Sequence, residues 1–205
     1  MTTPDYGYHN ESMCHVSAYI LDGLFSMLGS ANNPILDVGC GNGWLGKVML
    51  DRGFDYYGID ASAKGIEIAS KIDPNRFFVH DVNNQELDKK IALIKFKTVI
   101  STEVIEHIYD PDSFIKFCRS ILPQNGSGEL IITTPYHGYL KNLALSITGK
   151  MDDHFSPLWH GGHIKFFSKK TLSTLLQNNG FEIVRFQGCG RVPYLWKSML
   201  IKARI

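Results

Sequence analysis

Short apolar runs alternate along this chain with segments in which apolar side chains recur every three or four positions. The runs fall at 35–38, 56–59, 77–79, 98–101 and 129–133. They are too short for helices and, flanked by Gly, Asp and Asn, read as strands buried on both faces. Between them, 44–52, 63–71 and 112–122 carry the helical period. Strand and helix in alternation predict a parallel sheet with right-handed crossovers. Ahead of the first strand, Val16, Tyr19, Ile20, Leu24, Phe25 and Leu28 predict an amphipathic helix over about 11–28, covering the sheet edge or a ligand pocket, with Gly29 and Asn32-Asn33-Pro34 as its stop. Segment 83–97 reads as a surface helix with its loop, and 169–178 as a further helix. The last part predicts two strands, 181–186 and 198–205, joined through Gly188-Cys189-Gly190 and Val192-Pro193.

Length and composition narrow the class. With 205 residues and 44% hydrophobic content, one substantial core and a single domain over 1–205 are expected, comprising a leading helical part (1–34), the sheet, and a long insertion at 135–167. Twenty-one basic against 20 acidic residues leave a formal charge of +1, which gives no bulk field toward nucleic acid or anionic membrane. Cys14, Cys40, Cys118 and Cys189 are scattered without metal-site or disulfide-scaffold spacing. The first residues carry no basic-then-apolar leader, and no run of apolar residues is long enough to span a bilayer, so a cytoplasmic location is expected.

Candidate chemistry begins where the first strand, Ile35-Leu36-Asp37-Val38, meets Gly39-Cys40-Gly41-Asn42-Gly43-Trp44-Leu45-Gly46. A glycine cluster between strand and helix lets backbone approach a nucleotide-like ligand and aims free N–H groups at it. The spacing Gly41-x-Gly43-x-x-Gly46 also satisfies the dinucleotide fingerprint, which keeps a nicotinamide-dependent oxidoreductase as a rival class. Asp37 argues the other way: an acid in the strand end repels a pyrophosphate and suits a ligand carrying an ammonium and a sulfonium. Asp37-x-Gly39-x-Gly41-x-Gly43 resembles motif I of the class I S-adenosylmethionine-dependent methyltransferases. A second acid, Asp60, ends the strand about 20 residues beyond the glycines, where a ribose-binding carboxylate is expected. The third strand runs into Asp81-Val82; in the resembled family the matching pair contacts the adenine. Thr102, at the end of the fourth strand, completes the cofactor-facing set. The resemblance implies a Rossmann-like α/β fold, a seven-stranded mostly parallel sheet with an antiparallel last strand and helices on both faces.

After the fourth strand comes Thr102-Glu103-Val104-Ile105-Glu106-His107, with Glu103, Glu106 and His107 at i, i+3 and i+4. On a helical turn these share one face, and two carboxylates beside an imidazole suit a divalent cation. Glu-Val-Ile-Glu-His resembles the polyprenyl-quinol O-methyltransferases of ubiquinone synthesis and the small-RNA 2′-O-methyltransferases, both associated with metal at the matching residues. The resemblance adds a histidine beyond the fifth strand as a further ligand: His163, in Gly161-Gly162-His163, with His160 as substitute. Oxygen-rich ligation with imidazoles suits Mg²⁺ or Mn²⁺ better than Zn²⁺.

The insertion at 135–167 gathers Tyr136, His137, Tyr139, His154, Phe155, Trp159, His160 and His163, and reads as a lid over the acceptor. Leu140, Leu143, Ala144 and Ile147 mark a short amphipathic helix whose pattern favours packing on the body of the protein over lipid contact. His107, His137 and His163 are candidate catalytic bases, His137 first if no metal is bound. The sequence thus points to an S-adenosylmethionine-dependent O-methyltransferase acting on a small hydroxylated acceptor such as a quinol, phenol or sugar. A 2′-O-methyltransferase for an RNA 3′ end is the enzyme alternative, and a non-catalytic S-adenosylmethionine-binding partner protein is the alternative of another class.

Overall fold

A computed structural model describes residues 17–29, 32–84, 86–125 and 127–205. Glu11 to Val16 of the expected first helix, and Cys14, lie outside the described residues; the helix itself, α1, is seen over Ser17–Met27. Seven strands form one sheet in the order β3-β2-β1-β4-β5-β7-β6. They are β1 Ile35–Val38, β2 Tyr56–Asp60, β3 Phe77–Val79, β4 Thr98–Thr102, β5 Glu129–Pro135, β6 Glu182–Cys189 and β7 Ser198–Arg204. The first five are parallel, and β7 inserts antiparallel between β5 and β6. The alternation of elements therefore produces the expected doubly covered sheet with one reversed strand.

The strands are legible as apolar runs because helices cover both faces. Leu36, Val99, Leu130 and Ile201 point into one core with Phe114 and Phe117 of α4 (Pro111–Ile121) and Leu172 and Leu176 of α7 (Lys169–Asn178). Their neighbours Ile35, Ile100, Ile131 and Leu200 point the other way, against Leu24 of α1, Met49 of α2 (Trp44–Asp51) and Ile66 of α3 (Ala63–Ala69). Helix starts follow the capping chemistry: Ser62 accepts from Gly65 N, Asp110 from Ser113 N ahead of Pro111, and Ser168 with Thr171 forms a capping box. Each fixes where a loop at the carboxyl edge of the sheet ends.

Two segments depart from the sequence reading. Residues 86–97 are turns, with no helix among the described ones. Asp88 Oδ1 takes Lys90 N at 2.8 Å and Asn84 Oδ1 takes Glu86 N at 3.2 Å, so local side chains satisfy the backbone, while buried Ile91 and Phe96 pin the segment down. In the insertion, α5 (Tyr139–Ile147) precedes a short α6 (Met151–Phe155). The expected packing of its apolar face is met only at Ala144, half-buried on the cavity wall: Leu140, Leu143 and Ile147 (77% exposed) face outward, as does Tyr139 (78%), and Lys141 is the helix's buried residue. No helix among the described residues is long and apolar enough to cross a membrane.

Candidate active site

A cavity of about 1490 Å³ opens at the carboxyl ends of β1 to β5, walled on its far side by the 139–164 insertion and the β6–β7 connection. Ligands of open α/β sheets bind at this edge. Gly39, Cys40 and Gly41 form its floor. Gly39 has φ +89°, and a Cβ there would lie 2.3 Å from Val104 Cγ2, so only glycine lets the loop pass. Gly41 N donates to Asp60 Oδ2 at 2.8 Å and Ser62 N to Asp60 Oδ1 at 2.7 Å, which ties the glycine loop to the end of β2. Asp60 lines the cavity, and each of its oxygens can accept one further bond. Burial raises the Asp60 carboxyl, against the two backbone N–H groups.

Asp81, Val82 and Thr102 also line the cavity. Asp37 and Gly43 do not line it. Asp37 is fully buried behind the loop, where its Oδ2 accepts from the Tyr56 hydroxyl at 2.6 Å and its Oδ1 has no hydrogen-bond partner. Burial pushes its carboxyl up to about 7, opposed by Tyr56 and reinforced by Asp60. Gly43 starts α2 at φ +77°, and a Cβ there would meet Ala69 Cβ at 2.6 Å; its work is seating α2 against α3.

Beyond β4 the expected shared helical face is not formed. Glu103 takes φ +55°, so the chain leaves β4 through a left-handed residue before a single 3-10 turn at Ile105–His107. This turns the Glu103 carboxylate toward β5 and β7, where it accepts from Thr133 Oγ1 at 2.9 Å and Ser198 Oγ at 3.1 Å. Burial pushes it up to about 7. What the fold brings together instead is Glu106, His107 and His163, whose ligand atoms lie within 4.8 Å of one another. Backbone bonds build the group: the Glu106 carbonyl accepts from Ile164 N at 2.9 Å and Lys165 N at 3.0 Å, and His107 Nδ1 lies 2.8 Å from the Gly161 carbonyl. A proton on Nδ1 makes Nε2 the acceptor nitrogen of the neutral ring.

Glu106 is buried with Oε2 accepting from Thr134 Oγ1 at 2.9 Å and Oε1 unpaired. Burial first, then the Glu103 charge, pushes it well up. Burial lowers His107, and lowers His163 to about 4 with His107 as the next cause. A buried carboxylate oxygen without a partner beside two imidazoles held neutral is a donor set that fits a divalent cation.

His160 is exposed and off the cavity wall. His137 does not line the cavity either: it is buried among His154, Phe155 and Phe166, with ring centroids 5.2–5.7 Å away. Burial, then the Lys141 charge, lowers it to about 3, too weak a base for a hydroxyl near neutral pH. Tyr19, from the leading helix that the sequence places over a sheet edge or pocket, lines the cavity, and so do Lys141, Arg191 and Lys197, to which the sequence reading gave no role in the site.

A family model described as a methyltransferase domain matches residues 12–185. The chain belongs to the methyltransferase-domain family. Its curated relatives include ubiquinone biosynthesis O-methyltransferases from Pelagibacter ubique (33% identical over 58% of this chain and 48% of that protein) and Cereibacter sphaeroides (28%, over 81% and 67%). The methyltransferase chain thus spans about half to two thirds of the length of these relatives. Among solved structures, magnesium protoporphyrin IX methyltransferase from Synechocystis with bound SAH is similar in fold, with a TM-score of 0.65 at 21% identity over 90% of this chain and 81% of that one. An S-adenosylmethionine-dependent methyltransferase from Mesorhizobium loti gives 0.68 at 18%, over 91% and 97%. The methyltransferase-domain match removes the rival oxidoreductase reading.

Proposed function

We propose that the chain transfers a methyl group from S-adenosylmethionine to a hydroxyl of a small acceptor of the quinol or phenol type, with Mg²⁺ or Mn²⁺ held by Glu106, His107 and His163. The observation that carries this reading is the unpaired, buried Oε1 of Glu106, grouped with two imidazoles on the wall of the cavity that Asp60 and the glycine loop also line. The ubiquinone-pathway names of the relatives support a quinol acceptor.

The residues divide the work along the cavity. Asp60 receives the ribose hydroxyls while bracing the loop through Gly41, and Asp81 with Val82 faces the adenine. Gly39 and Thr102 bound the methionine end, and Asp37 behind the loop gives that end a negative field suited to a sulfonium and an ammonium. S-adenosylmethionine supplies an electrophilic methyl, so the protein mainly aligns the acceptor oxygen, excludes water and removes a proton. A divalent ion supplies Lewis acidity that lowers the pKa of an acceptor hydroxyl. His107 and His163, kept neutral by burial, offer lone pairs at neutral pH. Glu103, fixed by Thr133 and Ser198 on the same cavity wall, is the carboxylate placed to receive the released proton. The insertion covers the reacting atoms as a lid.

Crystals soaked with Mn²⁺ and S-adenosylhomocysteine, measured at the manganese edge, test the site. We expect an anomalous peak among Glu106, His107 and His163. Adenosylhomocysteine bound in the cavity with no peak there would remove the metal from the reading.

A further inference from the structure

Helix α5 turns Tyr139, Leu140, Leu143 and Ile147 outward and buries Lys141 (7% exposed), which shares the cavity-facing side with Ala144 and Leu145. The lysine lines the cavity, and its one hydrogen bond is to the Lys197 carbonyl at 3.3 Å, which leaves two of its three donors unused. Arg191, from the β6–β7 connection, lines the same wall and is close enough to lower Lys141. Both cations act on His154, which lines the wall beside them. Among the described residues no carboxylate lies within ion-pair distance of Lys141 or Arg191. Glu103 is the carboxylate whose charge reaches Lys141 and offsets it in part, but it is held by Thr133 and Ser198 and makes no ion pair with the lysine. Asp153, on the same wall, is exposed.

The cavity is therefore polarised. Asp60 and Asp81 stand at the β2–β3 end, where a ligand with hydroxyls and positive charge belongs. Lys141 and Arg191 stand together on the lid wall, where Glu103 and the exposed Asp153 are the carboxylates among the lining residues. Gathering like charges, one of them buried, costs free energy that persists in the empty protein unless an anion offsets it. Resting on the methyl-transfer reading, we infer that the acceptor carries an acidic group, carboxylate or phosphate-like, which Lys141 and Arg191 clamp on the lid side of the cavity while its hydroxyl faces Glu106, His107 and His163. Lys141 and Arg191 are then specificity-determining residues: they choose among hydroxylated acceptors by charge.

The test is calorimetric binding to the adenosylhomocysteine-loaded protein, using dihydroxyphenylacetate, its neutral amide and its phosphonate analogue, with methyl transfer to each measured separately. At least one acid should bind about tenfold more tightly than the amide, the worth of one charge-assisted hydrogen bond, and the better acid names the class. Lys141→Met and Arg191→Gln should each bring the acid-to-amide ratio toward one, and Lys141→Arg should keep it, with adenosylhomocysteine affinity unchanged throughout. Arg191 is exposed, so its variant reports even if Lys141→Met folds poorly. Equal binding of amide and acids, no binding of either acid at about 10 mM, or a loss of adenosylhomocysteine affinity in the variants would overturn the inference. Acid-selective binding without methyl transfer to any probe would instead count against the O-methylation reading alone.

Discussion

Asp37→Asn should make the protein more stable at pH 8 and bind its cofactor less well. The carboxyl is fully buried with one oxygen unpaired, and its pKa is raised from 3.8 to about 7. Between those two values the folded chain binds a proton that the unfolded chain has released, so stability falls as pH rises through this window. The rise from 3.8 to about 7, at about 1.36 kcal/mol for each tenfold change in proton affinity, corresponds to an upper bound of roughly 4 kcal/mol above pH 7, and to nothing below the unfolded value. Asparagine keeps an oxygen to accept from Tyr56 and carries no charge to desolvate. Urea unfolding of the two proteins without ligand at pH 4 to 8 isolates the residue, because Glu103 and Glu106, also raised, are common to both curves. We expect a gain of about 1 to 4 kcal/mol at pH 8 that shrinks to near zero at pH 4. A gain independent of pH, or a less stable variant at pH 8, would refute the reasoning. The loss of negative field behind the glycine loop should show as weaker S-adenosylmethionine binding in the same variant.

Other substitutions probe separate parts of the site. Asp60→Ala should leave the chain folded by circular dichroism while lowering adenosylhomocysteine affinity about a hundredfold by calorimetry, the scale of two hydrogen bonds to a charged group. Unchanged affinity would sink the ribose role. Gly43→Ala should cost about 2 to 3 kcal/mol in urea, from a left-handed φ and the approach to Ala69; a neutral result would mean that α2 can shift. Chelation with EDTA should abolish methyl transfer yet spare adenosylhomocysteine binding, and His163→Ala should weaken Mn²⁺ binding at least about tenfold by electron paramagnetic resonance. Transfer that survives chelation would assign the proton removal to side chains alone.

The sheet could be read from sequence because strands buried on both faces are plain apolar runs, and because the acids and glycines follow them at fixed places. What escaped was set by contacts between distant segments. Gly188 read as part of a linker but lies inside β6, where a Cβ would sit 2.0 Å from the Trp196 ring; the missing side chain makes room for an indole rather than a turn. Glu103 was spaced for a helical face, yet its left-handed backbone and its bonds to Thr133 and Ser198 take it elsewhere, which no periodicity encodes. His163 was reachable only through resemblance, since the bonds that carry it to Glu106 join backbone atoms. The apolar residues of α5 formed a legible stripe, but the side of the helix that faces the cavity depends on what the cavity is meant to hold.

Strand β7 follows β6 in the chain and lies between it and β5 in the sheet. During synthesis, β6 emerges with no neighbour to pair with, and β5 waits with one edge bare, until Ser198–Arg204 is available to both. Ser198, which anchors Glu103, arrives on that same strand. Nascent chains stalled before β7 should therefore keep unpaired edges open to chaperones, and the acceptor side of the pocket is assembled last.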